Sequence, residues 1–170
     1  MQAVDSSVGT APDSWLDWLN DSALGAAMRG DLWLYPMVEV VHILGFSVLF
    51  GAVLMFDLRV LGLSKNIEVT ALARHLLTWS IAALLLVVPA GLMMFSAHPH
   101  DFASNGVFIL KLCLIAAAGI NAVLFHVGVY RSVDRWNTAI AAPGIAKIQA
   151  LFSIALWVTV ILCGRLLAYT

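Results

Sequence analysis

LYPMVEVVHILGFSVLFGAVLMF, residues 34–56, is a continuous apolar run whose only acidic or basic side chains are Glu39 and His42. A helix crossing a hydrocarbon core of about 30 Å needs roughly 20 apolar residues, and this stretch is long enough. Three further stretches match it in length and character, at 76–97, 107–129 and 148–169. None alternates polar and apolar residues with the two-residue period of a membrane β-barrel. The expected fold is therefore all-α, an integral membrane four-helix bundle over residues 33–170. Residues 1–32 form a periplasmic tail ahead of it.

Composition agrees with the runs. The chain is 62% hydrophobic and 11% charged over 170 residues, with a mean hydropathy of +0.94. That leaves too little polar surface for a water-soluble globule. The net charge of −1 gives no reason to expect nucleic acid as a partner; the lipid bilayer is the first one. Orientation follows from the cations. Arg59, Lys65 and Arg74 lie between the first two spans, and Arg131, Arg135 and Lys147 between the last two, while the middle connection has no Lys or Arg. The expected topology is a multi-pass protein of the bacterial inner membrane with both basic loops cytoplasmic and both termini periplasmic.

The first 32 residues carry five Asp against the single Arg29 and lack the basic start and apolar centre of a cleavable signal, so the segment is expected to be retained. Pro12 and Asp13 read as start signals, and Trp15, Trp18 and Leu19 give an apolar side, which predicts an interfacial helix over residues 12–28 or else a tail with Trp anchors. Trp33, Tyr35 and Pro36 mark the membrane boundary. Cys113 and Cys163 fall at similar outer depth, where contact is geometrically feasible, and read as small apolar packers. No CxxC or CxxCH is present, which removes covalent c-type haem and most zinc and iron–sulfur frameworks.

The histidines then carry the chemistry. Glu39 and His42 share a helical face at i, i+3, and ionisable groups below the headgroups are costly unless they serve a function. Antiparallel neighbours place His75, opening the second span, level with His126, closing the third. His42 and His126 differ in depth by about 20 Å at the helical rise, so they cannot share one haem iron. Two candidate ligand sets follow: His75 with His126 at the inner end, and His42 with His98 or His100 at the outer end. Gly119, Ala122 and His126 on one face, and Gly45 three residues after His42, leave slots for a flat macrocycle, or simply let helices approach closely. Lys111, Arg165 and Tyr169 converge at the outer end as propionate partners, or as an ion-pair network with Glu39. Asp57 reads as an acceptor that orients His75 or His126, or as a partner of Arg131.

The stretches Trp33-Leu-Tyr-Pro-Met-Val-Glu39-Val-Val-His42-Ile-Leu-Gly45, Asp57-Leu-Arg59-Val-Leu-Gly62 and Gly164-Arg165-Leu-Leu-Ala-Tyr169 resemble an uncharacterised family of bacterial four-helix inner-membrane proteins. The likeness covers nearly everything beyond residue 30, and no established activity comes with it. More distantly, the chain is similar to copper-resistance-D and protoporphyrinogen-oxidase-like membrane proteins, which implies b-type haem held by single histidines in apolar helices.

The expected function is membrane electron transfer by a b-type cytochrome with one or two haems, exchanging electrons with a quinone or a periplasmic redox protein. Any enzyme activity would be that of an oxidoreductase subunit. The alternative is metal-ion or proton handling: His98, His100 and Asp101 in one outer loop suit copper or zinc, with Glu39 and His42 beneath to receive the ion. His75 and His126 are metal-ligand candidates in the same sense. A third expectation is a cofactor-free accessory subunit, as a homo-oligomer or within a larger membrane complex.

Overall fold

A computed structural model describes residues 14–169 of the chain. The start signals expected at Pro12 and Asp13 lie outside the described residues. Two short helices, α1 (Trp15–Asn20) and α2 (Ala23–Gly30), precede the spans α3 (Leu34–Leu61) and α4 (Val69–Ala97). A one-and-a-half-turn helix α5 (Pro99–Ser104) leads into α6 (Gly106–Val127), and a 3-10 helix at Val129–Arg135 precedes α7 (Gly144–Leu166). No strand occurs among the described residues. α3, α4, α6 and α7 are each long and apolar enough to cross a membrane, and their outward faces are apolar, as with Leu85 at 71% exposure. This is a multi-pass, all-helical membrane bundle.

The expected single interfacial helix is two helices. Ser14 caps the first by accepting from the Asp17 N–H. Ser22 breaks the run, since its hydroxyl donates to the Leu19 carbonyl and accepts from the Gly25 N–H, starting a new helix. α2 then docks on the outer end of α4. Met28, Val38, Ala90 and Ala97 pack there, and Arg29 donates to the carbonyls of Ala97 at 2.9 Å and Asn20 at 2.7 Å.

The spans also run past the charges expected to end them. α3 continues through Asp57 and Arg59 to Gly62, whose φ of 113° closes the helix in the left-handed conformation that glycine tolerates. Arg59 is only 2% exposed. It donates to the carbonyls of Ile67 (2.6 Å), Lys65 (3.1 Å) and Asn137 (3.0 Å), so loop oxygens satisfy its fork. Asn137 in turn accepts at Oδ1 from the Thr70 N–H, capping α4 from the loop before α7. Beneath this network Val60, Val69, Phe125, Trp136, Ala146 and Ala150 form an inner apolar core.

Helix order corrects one expectation. α3 packs along α4 and α7, and α7 along α6, whereas α4 and α6 are not packed side by side along their length. A short connection therefore does not make α4 and α6 a helix pair. Small residues set the seams instead. A Cβ at Gly45 would stand 2.8 Å from Val87 Cγ2 and 3.3 Å from Leu86 Cβ, so α3 and α4 meet closely there. α4 and α6 meet near their outer ends through aromatic rings, with Phe95 stacked on Phe108 at 5.6 Å and on Trp15 at 6.3 Å.

Candidate functional site

His42 stands on the α3 face turned toward α4. Its Nδ1 lies 3.0 Å from the Val87 carbonyl oxygen, and Gly91 provides the room: a Cβ there would be 3.1 Å from His42 Cε1. A carbonyl oxygen only accepts, so Nδ1 carries the proton and, in the neutral ring, Nε2 keeps its lone pair. Among the described residues no hydrogen bond engages that nitrogen. Pro89 has no N–H to offer the Leu85 carbonyl, which loosens the helical ladder on the same stretch of α4.

Charges surround the ring without bonding it. Lys111 of α6 and Glu39, one turn up α3, both act on His42 electrostatically. Lys111 is half-buried, and its Nζ lies 3.8 Å from where a Gly164 Cβ would stand, beside the buried Cys163. Cys113 is exposed, and the two cysteines are free thiols. Arg165 instead turns to Tyr169, which its guanidinium both hydrogen-bonds at the hydroxyl and covers at 4.8 Å from the ring centre. The expected network of Glu39, Lys111 and Arg165 is not formed: among the described residues no ion pair joins them.

The other histidines separate. His126 is exposed and bonds through Nδ1 to the Ala122 carbonyl of its own helix at 2.9 Å, again leaving Nε2 outward. Its ring lies 5.2 Å from that of Tyr130. His75 is exposed beside Trp79, 6.5 Å between ring centres, and does not touch His126. His98 and His100 do not fold inward to His42. His100 Nε2 lies 2.9 Å from an Asp17 oxygen, tying α5 to α1, and His98 Nδ1 lies 3.8 Å from Asp101. The Ser14 hydroxyl, bonded to the Asp17 carboxylate, and then His100 hold that carboxyl below its usual range. No three His, Cys, Asp or Glu side chains gather at metal-binding range among the described residues.

Of the two expected macrocycle slots, the one at Gly45 is filled by Val87 and Leu86, while Gly119 on α6 has nothing within 4 Å. Asp57 orients neither His75 nor His126, and Arg131 is not its partner. It is buried at 6% exposure, its carboxyl set against Ser153 of α7, and its Oδ2 has no hydrogen-bond partner. Sequence reading passed over Ser153 and Gln149. Their signal was present, because two polar residues one turn apart in an otherwise lipid-suited helix share one face.

The family model of the DUF6644 family, a family of unknown function, matches residues 15–170, and the chain belongs to that family. No curated protein and no solved structure matches it.

Proposed function

We propose that this member of the family is an electron-transfer protein of the bacterial inner membrane, of the b-cytochrome type, with both termini periplasmic. His42 is the residue that would hold the haem, in the outer half of the bilayer. The observation that supports this is the Nδ1 bond from His42 to the Val87 carbonyl. Ligating imidazoles characteristically donate their second nitrogen to a carbonyl or carboxylate, which fixes the tautomer and aims the free lone pair. A fully satisfied packing histidine would have both nitrogens bonded.

The residues present fit a haem at His42 and do not fit the paired-histidine sets. Lys111 supplies a half-buried cation on a neighbouring helix for a propionate, and Arg165 with Tyr169 supplies a second polar group at the same end. A haem bound there supplies one-electron chemistry. The chain's part is to present Nε2, to surround the ring with α3, α4 and α7 so that water is excluded, and to balance carboxylate charge with Lys111. His126, whose Nε2 is also free, is the candidate for a second site about 20 Å deeper by helical rise. A quinone in the bilayer and a periplasmic redox protein are the partners such a carrier would serve.

The test is a visible spectrum of the detergent-purified protein, oxidised and then dithionite-reduced, for wild type, His42→Ala and His126→Ala. Reduced b-type bands are expected to be lost in His42→Ala and kept in His126→Ala if the chain holds one haem, and to fall by about half in each variant if it holds two. A featureless wild-type spectrum from cells supplied with haem precursor overturns the proposal. Bound copper or zinc in that preparation would select metal handling by the outer histidines, and neither signal would select an accessory subunit.

A further inference from the structure

Several hydroxyls elsewhere in the spans are satisfied by their own helices, as Ser47 is by the Ile43 carbonyl and Thr159 by that of Ala155, both at 2.8 Å. Between α3 and α7 the arrangement differs. Asp57 Oδ2 is buried with no hydrogen-bond partner, and so is Gln149 Oε1. Ser153 stands between these facts. It stands against the Asp57 carboxyl, and it sits one helical turn from Gln149 on the same face of α7. Asn121 of α6 fixes this stretch from the far side by donating to the Gln149 carbonyl at 3.1 Å.

Both unpaired atoms are acceptors, and a buried acceptor without a donor is destabilising. An ionised carboxylate here would be worse, since burial strips its hydration. No charged side chain among the described residues acts on Asp57 from α3, α7 or any other helix. Arg59, two residues on, spends its fork on three loop carbonyls. One proton answers the vacancy at Asp57: it neutralises the carboxylate and turns Oδ2 from an unsatisfied acceptor into a hydroxyl.

We propose that Asp57 is a proton-binding site in the inner half of the membrane, its neutral carboxyl buried against Ser153 of α7. Asp57 lies four residues before the end of α3, about 6 Å inside it, so the proton is exchanged with water on the basic-loop side. The site is independent of any haem.

The test is infrared difference spectroscopy of the full-length protein in lipid vesicles, with exchange into D₂O. At neutral pH a protonated-carboxyl C=O stretch is expected that shifts in D₂O, disappears in Asp57→Asn and moves to higher frequency in Ser153→Ala, where the neighbouring hydroxyl is gone. The proposal is overturned if no such band exists at neutral pH, or if it survives Asp57→Asn. It is also overturned if sodium chloride in place of choline chloride abolishes the band at constant pH, which would make the site one for a metal cation. Should Asp57→Asn not fold, Ser153→Ala decides alone, and an unmoved band refutes the assignment.

Discussion

Gly91 sets how freely the His42 ring can move. A methyl group there would sit 3.1 Å from Cε1 and 3.5 Å from Nδ1, tighter than ordinary contact, so the ring must yield by a few tenths of an ångström. Gly91→Ala is therefore expected to lengthen the bond to Val87 and to cost about 0.5–1.5 kcal/mol, the usual net worth of a hydrogen bond, read as a lowered unfolding midpoint of the purified protein. A second residue-scale prediction concerns Asp17, whose carboxyl is held low by Ser14 and His100. A depressed acid stabilises the fold above its unfolded-state value, and that contribution is lost as pH falls through its folded-state value. Fluorescence of Trp15 and Trp18 should follow that acid transition as α1 loosens from α5, and Asp17→Asn should remove it. The Glu39 and His42 face was legible in the sequence, because ionisable groups in an apolar run stand out at once. That His42 turns its Nδ1 to a carbonyl was not legible, since it depends on Gly91, a glycine that reads like any other in a membrane helix.

At the scale of elements, the docking of α2 rests on Gly25. A Cβ there would meet backbone oxygens on both sides, Ser96 at 2.7 Å and Asn20 and Leu19 at 2.8 Å, and backbone cannot swing aside. Gly25→Ala should detach α2 from α4 at a cost of about 1–3 kcal/mol or more. Faster proteolytic cleavage between α2 and α3 would register it. Existence of the four spans was plain from uninterrupted apolar runs, but their ends were not. Asp57 and Arg59 read as a boundary because free charges avoid lipid; here three loop carbonyls satisfy Arg59 against the helix, and Asp57 lies buried beside α7. The order of packing was equally hidden. When lipid-facing and helix-facing positions are all apolar, the hydrophobic pattern no longer says which face meets a partner, and only the small residues at Gly45 and along α7 carry that information.

For the whole molecule, the loops bearing Lys65 and Asn137 are hydrogen-bonded into one inner surface, while α1, α2 and α5 cover the outer one. With Cys113 and Cys163 replaced by Ser, a membrane-impermeant maleimide applied to spheroplasts should label Asp101→Cys and spare Asn66→Cys until the membrane is opened. The reverse pattern would invert the proposed topology. Bundle class could be inferred from composition and the apolar runs alone; the orientation read from cation placement is what this labelling tests. The inner carboxyl site could not, because it arises where three helices distant in sequence leave two oxygens without a donor.

The cap that Asn137 lends to Thr70 spans 67 residues of chain. While the polypeptide is being made, the first turn of α4 has no acceptor for its leading amides until the segment beyond α6 has emerged. The end of the bundle that carries the basic loops therefore closes late in biogenesis. A chain halted before residue 137 would hold three inserted spans with a frayed entrance to the second.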